Sequence, residues 1–224
     1  MLIERAMHFA ATAHAGDIVG GHQVRKYSGM PYVVHLAEVA GIVKSVGGSD
    51  IQQAVAFLHD TVEDTAVTLD QIYAEFAEDF GADVALQIQY GVTLLSDVEK
   101  HMGNRAERKA MDRERAANAP GWVQTVKLAD LISNTKDIAA NDPAFAVSYL
   151  AEKALLLEVL TKGDQTLLQA ARKALWEAHD GLHERVQASS QAKKAARAKA
   201  HEESVREARR LRWEKAERQL AENA

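Results

Sequence analysis

The sequence predicts an all-α protein, a helical bundle that ends in a long polar helix. Three observations carry this. Apolar residues recur at helical spacing through most of the chain. Alternating β-branched segments between turns are missing, and aromatic residues make up only 6% of the total. Finally, side-chain capping pairs punctuate the chain where helices should begin.

Taken in order, Leu2 to Ala13 shows helical spacing, and the Gly-rich stretch Asp17 to Gly29 reads as a loop. Pro31 suits a first helical turn, and that helix runs to about Val46 before Gly47-Gly48. Ser49 with Gln52 forms a capping box that opens the helix running into Phe57-Leu58-His59-Asp60-Thr61-Val62-Glu63-Asp64-Thr65. Thr68 with Gln71 is a second box, and its helix stops near Gly81. Ala82 to Leu95 follows at helical spacing. Asn104 with Glu107 opens a polar helix that closes before Pro120-Gly121. Trp122 to Asn134 is helical, and Asp142-Pro143 starts a helix through Leu160. Gly163-Asp164 breaks the chain, and Gln165 to about His183 closes the compact part. Beyond Gln187 the composition turns to Ala, Lys, Arg, Glu and Gln, so the expected division is 1–187 for a compact domain and 188–224 for a polar helical extension. Val205, Leu211, Trp213 and Leu220 give that extension a thin apolar stripe, which points to homo-oligomerisation or docking on the core.

With 224 residues, 47% of them hydrophobic, the chain can build a sizeable core. A net charge of −5 argues against nucleic-acid binding as the main task of the whole chain. The absence of cysteine excludes disulfides and thiolate zinc sites. Any metal must be held by His and carboxylate, which points to Mn²⁺, Fe²⁺, Mg²⁺ or Zn²⁺. The segment Met1 to Ala15 carries Glu4, Arg5, His8 and His14, unlike a signal peptide, and no apolar run is long enough to span a bilayer. No membrane partner is expected, and the expected location is cytoplasmic.

The chemistry concentrates in His59-Asp60 and Glu63-Asp64. Read as helix, His59 and Glu63 share a face, and so do Asp60 and Asp64. They follow the apolar run Ala54 to Leu58, where bare carboxylates need a positive partner and a divalent ion would serve. His35 lies one turn inside an otherwise apolar helix, and Asp130 stands between Ala129 and Leu131. Together His35, His59, Asp60 and Asp130 would offer two imidazoles and two carboxylates, a set that suits an octahedral ion. The residues alone also fit a solvated helix end, a hydrogen-bonded core histidine at His35 and an ion pair of Asp130 with Lys127.

Four stretches in order carry a resemblance. They are Ala13-His14-Ala15-Gly16, then Arg25-Lys26-Tyr27-Ser28-Gly29-Met30-Pro31-Tyr32-Val33-Val34-His35, then Leu58 to Thr65, then Val126-Lys127-Leu128-Ala129-Asp130. Over roughly residues 5 to 175 the sequence resembles the RelA/SpoT-type HD-superfamily hydrolases, in particular the small alarmone hydrolases. The resemblance implies an HD-domain helical bundle and one Mn²⁺ held by His35, His59, Asp60 and Asp130. It implies that Glu63 and Asp64 activate water. It also implies substrate contacts from Arg25, Lys26, Tyr27 and Ser28, from Lys127 and from Asn134. The implied activity is removal of the 3′-pyrophosphate of ppGpp, a guanosine polyphosphate. ppApp, the 2′-phosphate of NADPH and 5′-nucleotides or dNTPs are the competing substrates. A non-catalytic nucleotide sensor or assembly protein is the reading from another class.

The sequence departs from the family pattern in several places. The 17–24 loop is longer than usual, Leu36 replaces the common proline, and Leu131 stands where a basic residue is frequent. Val92-Thr93-Leu94-Leu95-Ser96-Asp97 lacks the usual Thr-Lys or Asp-Asp-Lys pattern, so Lys100, Arg105 or Arg108 is expected to supply that phosphate contact. The chain is too short to hold a synthetase domain as well, and its polar helix stands where long enzymes carry regulatory domains.

Overall fold

The computed structural model describes residues 1–15, 23–26 and 28–222, apart from the side chains at 137, 139, 140, 144, 214, 216, 217 and 219–222. Gly16 to His22 and Tyr27 lie outside the described residues, and so do most of the 17–24 loop and the contact expected of Tyr27. Every named element is helical: α1 (Leu2–Ala15), α2 (Tyr32–Ser45), α3 (Asp50–Leu58), α4 (Thr61–Asp64), α5 (Leu69–Phe80) and α6 (Ala82–Leu95) in the first half. A 3₁₀ turn at Lys100–Met102 precedes α7 (Arg105–Asn118), α8 (Gly121–Asn141), α9 (Pro143–Val159) and α10 (Gln165–Glu222). Among the described residues there is no strand, only an isolated antiparallel bridge between Val24 and Pro31. The all-α expectation holds, and no described helix is long and apolar enough to cross a membrane.

The capping pairs form as read. Ser49, Thr68 and Asn104 each accept a backbone N–H three residues on, and Gln52, Gln71 and Glu107 return the bond. Each cap contributes about 1 kcal/mol. Asp142 Oδ1 accepts from the backbone N–H of Phe145 at 3.0 Å and starts α9.

Helix α3 is the centre of the bundle. It packs against α1, α2, α6 and α8, and Gln53 to Leu58 are all buried. A helix that is buried on every face needs apolar residues on every face, which the run Ala54-Val55-Ala56-Phe57-Leu58 supplies. Gly91 lets α6 close on this centre. A Cβ there would fall 2.8 Å from the Trp122 ring and 2.9 Å from Val55. A buried amide secures α8: Gln124 Nε2 donates to the Ala116 carbonyl at 2.8 Å, and Oε1 accepts from the N–H of Lys162 at 2.8 Å.

Three boundaries differ from the sequence reading. The helix that was expected to run through the HD segment breaks there: α3 ends at Leu58, and a short α4 begins at Thr61. Asp60, at φ −97° and ψ −3°, makes the joint, while the Asp64 N–H still bonds the Asp60 carbonyl at 2.9 Å. Helix α8 continues past Asn134 to Asn141, because no breaker follows Asn134. The chain forms two compact units, Met1–His179 and Asp180–Ala224, with α10 unbroken from Gln165 to Glu222. Val205, Leu211 and Trp213 are exposed, Trp213 by 69%. The Leu220 side chain lies outside the described residues.

Candidate active site

The buried end of α3 delivers His59, and the joint after it delivers Asp60. The His59 Nδ1 lies 2.8 Å from the Ala56 carbonyl. A carbonyl can only accept, so Nδ1 carries the proton and Nε2 presents a lone pair. His35 enters from α2. Its Nδ1 lies 2.9 Å from the Ser133 hydroxyl, which in turn donates to Glu38 at 2.7 Å. With Nδ1 held between Ser133 and Arg25 Nη1, the latter at 3.0 Å, the His35 Nε2 is the nitrogen that faces the cluster. Asp130 comes from α8, one turn before Asn134.

These groups converge. His35 Nε2 lies 3.5 Å from both Asp60 Oδ2 and Asp130 Oδ1. His59 Nε2 lies 3.0 Å from Asp60 Oδ2 and 3.5 Å from Asp130 Oδ1. Ligand atoms of His35, His59 and Asp130 all fall within 4.8 Å of one another. Both Nε2 atoms are buried, and neither makes an aligned hydrogen bond. The His35, His59 and Asp130 ligand atoms, with Asp60 Oδ2 beside both imidazoles and none of them well bonded to each other, fit a divalent ion.

The electrostatics agree. Burial opposes the imidazolium of His35, yet the Asp130 and Asp60 carboxylates 3.5 Å from it outweigh burial and raise the pKa. His59 behaves alike: burial opposes the charge, and the Asp60 and Asp130 carboxylates drive the pKa well up. Burial works against ionised Asp60, but His59 and His35 hold it far below the usual carboxylate range. Asp130 is held low against burial by Lys127 first, then by the two imidazoles. The Lys127 Nζ is 3.3 Å from Asp130 Oδ2. Protons thus sit where a cation belongs, and a metal ion must displace them. Affinity for a divalent ion such as Mn²⁺ should therefore already fall as pH drops from above the ordinary imidazole range, by about tenfold per unit for each imidazole that is protonated. Calorimetric Mn²⁺ titrations at pH 6 and pH 8 check this, and equal affinities would contradict it.

Glu63 and Asp64 lie on α4 beside this cluster. Glu63 Oε1 accepts from the Asp97 backbone N–H at 2.6 Å. The protein mass around its carboxylate, and then the Asp97 charge, push its pKa up to about 7. Burial raises the Asp64 carboxyl as well, with the Tyr32 hydroxyl opposing the rise. Tyr32 donates to Asp60 Oδ2 at 2.7 Å and fixes that carboxylate.

Of the expected substrate residues, Arg25 and Asn134 join the cluster. Arg25 Nη2 donates to Asn134 Oδ1 at 2.7 Å, Arg25 Nη1 lies 3.0 Å from His35 Nδ1, and Asn134 Nδ2 donates to Asp130 Oδ1 at 2.5 Å. Ser28 and Arg25 line a cleft of about 260 Å³ with His35, Glu38, Ser133 and Lys136. Lys26 is exposed beside it. Lys127 belongs to the cluster through Asp130. Arg105 is instead tied to Glu152 at 2.7 Å, and Arg108 to the carbonyls of Lys100 and Gly103.

Sequence reasoning missed Ser133, Glu38 and the Ala56 carbonyl, which hold the two imidazoles in place. Ser133 adjoins the Asp130 motif, but its partner Glu38 is 95 residues away and shows no local signal. Ser133→Ala should weaken Mn²⁺ binding about 10–100-fold, the usual worth of a group that orients a metal ligand. Unchanged affinity would mean that His35 is oriented by other contacts.

Comparison with known proteins fits this geometry. The HD-domain family profile matches residues 6–156. Over 145 residues the chain is 37% identical to a probable guanosine-3′,5′-bis(diphosphate) 3′-pyrophosphohydrolase of Synechocystis sp., a match covering 63% of this chain and 17% of that protein. It is 33% identical over 146 residues to the guanosine-3′,5′-bis(diphosphate) 3′-pyrophosphohydrolase MESH1 of Xenopus tropicalis, covering 63% of this chain and 72% of that one. In fold it is similar to the solved structure of a metazoan ortholog of SpoT, with a TM-score of 0.64 and 24% identity over 79% of this chain and 94% of the other. The central helix that delivers His59-Asp60, the facing His35 and Asp130, and these matches together show that the chain belongs to the HD-domain family, among its RelA/SpoT-type members.

Proposed function

We propose that this protein is a metal-dependent phosphohydrolase that removes the 3′-pyrophosphate of ppGpp or pppGpp, leaving GDP or GTP and pyrophosphate. The single observation that carries the reading is the convergence of His35, His59, Asp60 and Asp130 with Glu63 and Asp64 beside them. A sensor would need the ligands but not a carboxylate poised near neutral pH. The relatives named for this activity support the choice of nucleotide.

The four converging side chains would hold the ion, with Mn²⁺ as the first candidate and Fe²⁺, Mg²⁺ or Zn²⁺ as alternatives. When bound, it would supply Lewis-acid charge that polarises a phosphoryl oxygen and acidifies water. Glu63, with its pKa near 7, accepts the proton that the attacking water loses. Asp64 lies next to it and helps to orient that water. Lys127 neutralises charge around Asp130. Arg25 and Ser28 line the cleft in which the nucleoside would lie, Asn134 holds the Arg25 guanidinium, and Lys26 follows Arg25 in sequence; a guanidinium there can stack on a purine. Positioning and charge neutralisation supply most of the rate in phosphoryl transfer. The enzyme works in the cytoplasm, and the exposed Leu211 and Trp213 support self-association through the C-terminal helix.

A substrate panel tests the reading. The Mn²⁺-loaded protein is offered ppGpp, ppApp, NADPH and a dNTP, and the products are resolved by chromatography. The highest kcat/KM is expected for ppGpp. A higher value for any of the others would reassign the substrate.

A further inference from the structure

A second cavity adjoins the cluster through Lys127 and Asp97. It holds about 40 Å³, and one water needs about 10–15 Å³, so a group the size of a phosphate fits. Buried Val123, Leu156 and Leu160 line it on the core side. Two of its lining residues belong to the active site as well. Lys127 pairs with Asp130, and Asp97 donates its backbone N–H to Glu63. An occupant would therefore sit beside the reacting centre.

The cations around this cavity outnumber the carboxylates, and most are already satisfied. Lys109 pairs with Asp97 and with Asp112, the latter at 3.0 Å. Arg115 donates to the Ser96 carbonyl at 2.6 Å, and Arg113 to the Lys109 carbonyl at 3.2 Å. Lys153 of α9 differs. Its ammonium lies 5.2 Å from the centroid of the Tyr149 ring, and among the described residues no carboxylate comes within ion-pair distance of it. Burial, and then repulsion by Lys127, lower its pKa to about 8. It is still mostly charged at pH 7. A partly buried ammonium facing other cations over an apolar wall gains most from a bound anion.

We propose that Lys153, with Lys127, is a substrate-binding residue that holds the outer phosphate of the pyrophosphate group in this cavity. The inference rests on the reading of the neighbouring cluster as a phosphate-ester hydrolase. Lys153 takes the phosphate-binding role that the sequence reading offered to Arg105 and Arg108, whose guanidinium groups are tied to Glu152 and to backbone carbonyls.

The test uses the full chain without metal at pH 7, so that no turnover intervenes. Inorganic pyrophosphate and inorganic phosphate are titrated in by calorimetry. Lys153→Met should weaken pyrophosphate binding roughly 10- to 100-fold, the worth of one charge-assisted hydrogen bond. Lys153→Arg should stay within about threefold of wild type, since it keeps the charge. Binding of inorganic phosphate, which the same cavity fits, should weaken in Lys153→Met as well and be retained in Lys153→Arg. Pyrophosphate binding by Lys153→Met equal to wild type would overturn the proposal, as would no pyrophosphate binding by wild type. Should Lys153→Met melt early, Lys153→Gln removes the same charge and is judged by the same criteria. A weakened Lys153→Met in a protein that leaves ppGpp intact would retain the anion site and reject only the nucleotide. Cleavage of ppGpp with pyrophosphate binding unaffected in Lys153→Met would do the reverse.

Discussion

Asp60→Ala is expected to abolish Mn²⁺ binding and to lower turnover by about 10²–10⁴-fold or more, with helix content retained. Asp60 Oδ2 lies within 3.5 Å of both imidazole nitrogens and accepts from Tyr32. Its removal takes one of four ligands and leaves the site short of negative charge, which is worth several kcal/mol of transition-state stabilisation. The Tyr32 hydroxyl also loses its bond to Asp60, a further cost of about 1 kcal/mol to the fold. Asp60→Asn separates the two effects, because the amide oxygen can still accept from Tyr32 but carries no charge. Circular dichroism, Mn²⁺ calorimetry and steady-state rates are the measurements. Metal affinity within a few fold of wild type in Asp60→Asn would remove Asp60 from the ligand set.

Glu63→Gln should retain metal and nucleotide binding yet reduce kcat about 10²–10⁴-fold, the range of general acid–base assistance. The wild-type rate, at saturating metal, should fall as pH drops below about 7, because Glu63 must be ionised to take a proton. Glu63→Gln should lose that inflection. Near-normal kcat in both Glu63→Gln and Asp64→Asn would exclude these carboxylates from the chemical step.

Much of this was legible in the sequence because it is local. The capping pairs Ser49-Gln52, Thr68-Gln71 and Asn104-Glu107 each lie within four residues, and all three form. The candidate ligands were legible for a different reason. His59, Asp60 and Asp130 interrupt apolar segments, where a polar side chain needs a partner. The groups around them were not legible. Glu38 and Ser133 meet across two helices, and Tyr32 meets Asp60 across another gap, so neither pairing follows from spacing. The break between His59 and Thr61 escaped because both flanking segments have helical preference and the joint is one residue's dihedral change. Lys153 was hidden by its surroundings. Helix α9 is apolar on most faces, so its sequence does not say which face meets the cavity. Arg105 and Arg108 looked like phosphate ligands until Glu152 and the nearby carbonyls accounted for them.

The central claim is that the four converging side chains, with Glu63, form a metal-dependent 3′-pyrophosphohydrolase. Its most direct test is the fate of ppGpp on chelator-stripped protein before and after Mn²⁺ is restored. The expected result is no turnover without metal. With metal, GDP and pyrophosphate should appear in equal amounts as ppGpp disappears. Intact ppGpp in the presence of protein shown by calorimetry to have bound Mn²⁺ would contradict the account.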